Sequence, residues 1–187
     1  HELSTHKNFN QITIQAEAEI AAAAATVGAS FTGKLAVTGT SGPGLALKSE
    51  TISLALSAEL PMVIVNVQRG GPSTGLPTKP EQSDLLFALY GRHGESPLPV
   101  LASRSPSHAF YTAIEASRIA LKYMTPVILL SDNYVATGSE PWKLPDISDL
   151  PSLTNNLTTK NNSKDGFLPF HRDMTTFARP WAVPGVP

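Results

Sequence analysis

Short apolar runs bounded by Gly or Pro alternate along this chain with longer stretches of helical composition, the pattern of a parallel sheet covered by helices. Met62–Val67 (MVIVNV) and Pro126–Ser131 (PVILLS) are nearly continuous in Val, Ile and Leu, which predicts strands buried on both faces. Gln11–Gln15, Leu35–Thr38 and Leu98–Leu101 are shorter strand candidates, so five strands are expected. Ala16–Phe31 is alanine-rich and apolar nearly all round, which predicts a buried helix. Further helices are expected over Leu45–Glu59, Glu81–Tyr90 and Ser107–Met124. The last is the best marked, with Ser105-Pro106-Ser107 as a start signal and Lys122 near its end before Pro126. The fold class expected is α/β, a parallel sheet flanked by helices.

From Pro141 onward the pattern breaks. Seven of the 16 prolines fall in the last 47 residues, together with a polar run over Thr154–Lys164, which predicts an extended, partly mobile tail. Residues 1–140 are read as the α/β domain and 141–187 as the tail leading toward a next domain. Phe167, Phe170 and Trp181 are the side chains with which the tail could dock.

Composition removes several function classes. A net charge of −1, with 14 Lys and Arg dispersed along the chain, offers no field for a nucleic acid or an anionic membrane. The absence of cysteine excludes a disulfide scaffold, a thiolate zinc site and an iron–sulfur cluster held by this chain. The five histidines show no metal-ligand spacing, so no metal site is expected. No stretch has the ~18 apolar residues of a membrane helix, and the first ten residues have no signal-like apolar core, so a cytoplasmic protein is expected. Two N-x-S/T patterns, at Asn156 and Asn161, are read as loop residues.

In a parallel sheet, ligands collect at the carboxyl ends of the strands, and three segments there carry unusual chemistry. Thr38-Gly39-Thr40-Ser41-Gly42-Pro43-Gly44 pairs glycines that allow close backbone approach with hydroxyl donors and a helix start. It is either an anion-binding loop or a capped strand-to-helix turn; Leu45 stands where a nucleotide triphosphate loop has Lys. Gln68–Thr78 (QRGGPSTGLPT) is a long loop after the strongest strand. Its Arg69 can clamp a carboxylate through two parallel hydrogen bonds or form an ordinary surface ion pair. Glu17 and Glu19 open the alanine-rich helix, where carboxylates complement the helix dipole. Glu19 gains interest from the apolar run after it, because burial there would raise its pKa and let it share a proton with a ligand nitrogen. Ser131-Asp132 ends a buried strand, where an Asp ordinarily caps the next turn. No Ser–His–Asp set or nucleophile elbow is present.

Taken in order, E-A-E-I-A from Glu17, T-G-T-S-G-P-G from Thr38, V-N-V-Q-R-G-G-P-S-T-G-L-P-T from Val65, E-Q-S-D from Glu81, Y-G-R-H-G-E-S from Tyr90, K-Y-M-T-P-V-I-L-L-S-D from Lys122 and S-E-P-W from Ser139 resemble the alpha subunits of 2-oxoglutarate:ferredoxin oxidoreductases. The resemblance covers nearly the whole chain. It implies a fold like the pyrimidine-binding domain of thiamine-diphosphate enzymes. The reaction it implies turns a 2-oxoacid, coenzyme A and oxidised ferredoxin into an acyl-CoA, carbon dioxide and reduced ferredoxin. It places Glu19 on the family's glutamate, which hydrogen-bonds N1′ of the cofactor's aminopyrimidine and stabilises the imino tautomer whose nitrogen removes the thiazolium C2 proton. Arg69 falls on the family's substrate-carboxylate arginine, and Thr40, Ser41 and Gly42 are expected at the cofactor. Thiamine diphosphate would be shared with a beta subunit, with magnesium and an iron–sulfur cluster on partner chains only.

Two departures follow from the same comparison. The family's Y-P-I-T-P-S motif, expected well upstream of Glu19, is absent, so the chain is expected to be a fragment that is inactive alone; Asn133 stands where the family pattern has Gly. The competing classes are a free-standing anion- or nucleotide-binding module and a noncatalytic interaction domain. Which 2-oxoacid is used is open at this level.

Overall fold

The computed structural model describes residues 2–155, 157–182 and 184–185; Asn156, the first N-x-S/T acceptor, lies outside them. Four parallel strands form the main sheet: β1 (Ala36–Thr40), β2 (Met62–Gln68), β3 (Val100–Ala102) and β4 (Pro126–Asp132), in the order β1-β2-β4-β3. The helices are α1 (Glu19–Phe31), α2 (Gly42–Ser57), α3 (Leu85–Tyr90), α4 (Pro106–Tyr123) and α5 (Asn133–Thr137).

The apolar runs explain the layering. Along β2 and β4 successive side chains alternate between faces, and both faces are covered. Met62, Ile64, Ile128 and Leu130 pack with Leu45, Ile52 and Ala55 of α2 and Ala88 of α3. Val63, Val127 and Leu129 pack on the other face against Ala116 and Ala120 of α4. All seven residues of β4 are buried. Register ties β2 to β4 from Met62↔Pro126 to Gln68↔Asp132.

Four expectations are corrected. Gln11–Gln15 is not a strand: Ile12 and Ile14 are 87% and 70% exposed, and without a partner strand or a covering layer the alternation has nothing to pair with. The main sheet therefore has four strands. The alanine-rich helix starts at Glu19, after an extended Ala18, so Glu17 precedes it. Nor is that helix buried all round: only Ala23, Thr26 and Ser30 are, because it flanks the sheet beside α2 and nothing among the described residues covers its outer side. The helix after β1 begins at Gly42 rather than Leu45, so the strand enters the helix almost directly.

Several motif residues prove to be caps. Arg92 donates to Ala88 O, Leu89 O and Ser96 O and closes the end of α3. Ser105 caps α4, and Glu140 accepts from Ser107 N while Trp142 packs on Phe110.

The described residues from Asn155 onward pack at the end of the sheet where α1 and α2 finish. A two-residue parallel pair, β5 (Leu157–Thr158) and β6 (Trp181–Ala182), buries Trp181. Asn155 Nδ2 donates to Gly33 O, and Arg179 donates to Ala58 O and to Glu59 Oε2, with Arg172 paired to the same carboxylate. Burial works against ionisation of Glu59, but the hydrogen bonds and charges of Arg172 and Arg179 outweigh it and hold the carboxyl below its ordinary value. Such a group contributes stability above its unfolded value, and the contribution is lost as pH falls through the lowered one. Glu59→Gln should therefore cost about 2 kcal/mol at neutral pH, read by urea unfolding. The difference between the two proteins should vanish on acidification below the ordinary glutamate range.

Candidate functional site

The carboxyl ends of β1 and β2 and the start of α2 form an open rim. Thr38 and Thr40 point from β1 to the same side as Asn66 and Gln68 of β2, because alternate residues share a face and the register sets Thr40 beside Asn66. A polar row is thus built into an otherwise apolar layer.

Glu19, the first residue of α1, is exposed at this rim, so the burial expected for it is not met. Its side chain instead lies over Gly44 in the first turn of α2. A Cβ at Gly44 would meet Glu19 Cγ at 2.8 Å and Thr40 Oγ1 at 2.0 Å. Gly44 is therefore required by close approach and not by backbone conformation. Ser41 is the N-cap of α2 without a side-chain cap bond, and Leu45 N donates to Ser41 O at 2.8 Å.

Beside this start sits Asp84. A Cβ on Gly42 would lie 2.8 Å from Asp84 Oδ2, so the carboxylate rests on the first turn of α2. Asp84 accepts from Asn66 Nδ2 at 2.9 Å, and its own N–H donates to Gln68 Oε1. Gln82 donates to Asp132 Oδ2, while Asp132 Oδ1 caps α5 through Tyr134 N and Val135 N. Burial opposes ionisation of Asp132, yet the Gln82 hydrogen bond and these backbone bonds prevail and keep its carboxyl below the ordinary aspartate value. The E-Q-S-D segment thus ties the rim together, and Asp132 plays the capping part expected of it.

Arg69 follows β2, half-buried, with its Nε buried and without a hydrogen-bond partner. A guanidinium N–H left without an acceptor away from water is costly unless a ligand supplies one. Asn66 Oδ1 and Ser103 Oγ are likewise buried and unpartnered. The loop after Arg69 closes on itself through Leu76 N→Gly70 O and Gly70 N→Lys79 O. Gly75, at φ +40°, lies so close to Gly70 that a Cβ would meet its carbonyl oxygen at 2.3 Å.

The profile of pyruvate flavodoxin/ferredoxin oxidoreductases, thiamine-diphosphate-binding domain, matches residues 1–184. The chain belongs to this family. It is 57% identical over 187 residues to the 2-oxoglutarate oxidoreductase subunit KorA of Mycobacterium tuberculosis, covering 100% of the chain and 28% of that protein. It is 46% identical over 144 residues to the 2-oxoglutarate synthase subunit KorA of Archaeoglobus fulgidus, covering 77% of the chain and 42% of that protein. Its fold matches, with a TM-score of 0.89 and 39% identity, a 2-oxoglutarate:ferredoxin oxidoreductase from Magnetococcus marinus described with 2-oxoglutarate, coenzyme A and succinyl-CoA bound. That match covers 99% of this chain and 32% of the other. The chain thus spans well under half the length of these relatives.

The rim is open on the outer side of Glu19. Two cavities, of about 590 and 430 Å³, lie instead at the tail around Arg172 and Arg179 and around Phe31 and Trp181. Neither is lined by Glu19, Thr40, Ser41, Gly42 or Arg69. Among the described residues no group of three or more His, Asp or Glu is placed to hold a metal, and no helix is long and apolar enough to cross a membrane.

Sequence reasoning did not single out Lys48, Asn66 or Asp84. The signal available for Lys48 was a lysine four residues after Gly44, on the face of α2 that must meet β1. Gly44→Ala should displace Thr40 or Glu19 and destabilise the domain by about 1–3 kcal/mol. Gly39→Ala, with nothing within 4 Å of its Cβ, should be tolerated. Thermal unfolding of the two variants measures the contrast.

Proposed function

We propose that this chain is the pyrimidine-holding part of the alpha subunit of a 2-oxoglutarate:ferredoxin oxidoreductase. The observation that carries the reading is the pairing, on one rim, of a carboxylate laid against a glycine with an arginine whose Nε has no acceptor. The residues fit the cofactor. Gly44 leaves the space in which Glu19 lies, the outer side of Glu19 is open, and Arg69 offers an unsatisfied donor.

In this reading the Glu19 carboxyl and N1′ of the aminopyrimidine share one proton in a hydrogen bond. Thr40, Ser41 and Gly42 back the ring where strand passes into helix. Arg69 receives the substrate carboxylate next to the reacting carbon, which fixes its orientation and balances its charge as it leaves water. When bound, thiamine diphosphate supplies the thiazolium carbon that adds to the 2-oxoacid and accommodates the electron pair left by loss of carbon dioxide. In the assembled enzyme the succinyl group would pass to coenzyme A and the two electrons, one at a time, to oxidised ferredoxin. The diphosphate with its magnesium, and the iron–sulfur cluster, belong to partner chains including the beta subunit. The open rim supports that division, as do Ile20, Leu86 and Tyr90, exposed at 54%, 69% and 77%. The relatives' names favour 2-oxoglutarate over other 2-oxoacids, and the cytoplasmic location expected with such substrates belongs to the same proposal.

A free-standing anion or nucleotide module is disfavoured by Asp84. Its carboxylate rests on the first turn of α2, where such a module would seat a phosphate, and like charges there repel.

The test is the full-length subunit assembled with its beta partner, thiamine diphosphate, magnesium and coenzyme A, with reduction of a viologen dye as readout. Turnover with 2-oxoglutarate is expected, and none from this chain alone. Glu19→Gln should lower kcat by at least about 100-fold, and Arg69→Ala should raise KM for the 2-oxoacid by about 10- to 100-fold. Absence of dye reduction with every 2-oxoacid tried would refute the enzyme reading.

A further inference from the structure

The seam between α1, β1 and α2 contains a lysine that the reaction above does not use. Lys48 is 0% exposed and stands on α2 one turn beyond Gly44, on the same face of the helix. Its Nζ donates to Thr38 Oγ1 at 2.8 Å, a neutral acceptor. Among the described residues no carboxylate lies within 4 Å of it as an ion-pair partner. Burial pushes its ammonium below the ordinary lysine value, and the Glu19 carboxylate acts in the opposite direction. An unpaired charge in this position is costly, and a methionine would fill the space without that cost.

The surroundings narrow what this charge can act on. From α1 the charged group facing Lys48 is Glu19. β1 and β2 bring only hydroxyl and amide groups, at Thr38, Thr40, Asn66 and Gln68. On β4 the one charged residue is Asp132, already held by Gln82 and two backbone amides. Asp84, beyond β2, is engaged by Asn66, and Glu50 on α2 itself is exposed. Glu19, Gly44 with Thr40, and Lys48 with Thr38 are thus stacked inward from the rim.

We propose that Lys48 is a positioning residue for Glu19, its buried charge keeping the Glu19 carboxylate aligned over Gly44 and toward the pyrimidine site. The proposal rests on the reading of Glu19 given above. Lys48 itself is out of water, so its charge reaches Glu19 less screened than that of a surface lysine, even without contact. Thr38 fixes the ammonium, so the field at Glu19 is set in advance of ligand binding.

Lys48→Met keeps length and apolar volume while removing the charge. In the assembled full-length enzyme, its melting temperature should be unchanged or higher, since a desolvated charge is gone. Its affinity for thiamine diphosphate, measured calorimetrically at neutral pH, should fall about tenfold. In turnover, kcat should fall while KM for 2-oxoglutarate stays the same. Wild-type affinity and wild-type kcat in Lys48→Met would overturn the proposal. Should that variant not assemble, Thr38→Val, which keeps the charge but frees the ammonium, must also lower the affinity and kcat; wild-type values there overturn it too. Glu19→Gln, run alongside, separates the two readings. If it binds and turns over as wild type does, both fail; if it is impaired while Lys48→Met behaves as wild type, only the role of Lys48 fails.

Discussion

The parallel pairing of β2 with β4 is the interaction on which the rest of the molecule depends. Seven register pairs hold the two strands side by side, and both of their faces are buried. Because the strands are parallel, every connection returns on the outside of the sheet, and the carboxyl ends collect at one edge. That edge is where α2 begins, where Arg69 leaves β2 and where Asp132 caps α5. The described tail starts at this edge, with Trp142 on Phe110, and from Asn155 on meets the other edge, where the helices end, at Gly33, Ala58 and Glu59.

Polar groups are admitted to this core only under tension. Asn66 and Gln68 continue the buried face begun by Met62 and Ile64, and they are tolerated because Asp84 and Ser131 take their hydrogen bonds. Three groups fall short of full satisfaction, Asn66 Oδ1, Arg69 Nε and Ser103 Oγ, and all stand at the carboxyl edge. The same holds for the close approach at Gly44. The seam there is tight enough to exclude a methyl group, yet it leaves Glu19 exposed on its outer side.

Much of the fold was legible in the sequence because fully buried strands have a strong pattern. MVIVNV and PVILLS became β2 and β4 with one residue added to each. The Ser-Pro-Ser start became the cap of α4. Failures came where local pattern lacked a tertiary partner. QITIQ alternates correctly, but strand pairing is a property of two segments. The alanine-rich helix was read as buried because alanine is equally compatible with an interior face and an open one. At the site, family resemblance drew attention to Glu19 and Arg69. The structure adds their setting, in which Glu19 is exposed and lies over Gly44. Lys48 and Asp84 escaped notice because a charged residue in a helix or before one is ordinarily solvated, and only the three-dimensional approach of β1 and α2 puts Lys48 out of water.

The central claim is that this rim is the half-site that meets the cofactor's pyrimidine. The most direct test is an experimental structure of the assembled full-length enzyme with thiamine diphosphate and a 2-oxoacid bound. The account predicts the Glu19 carboxylate within hydrogen-bonding distance of N1′ and the Arg69 guanidinium on the substrate carboxylate. A pyrimidine held by a different carboxylate, or bound away from the start of α2, would contradict it.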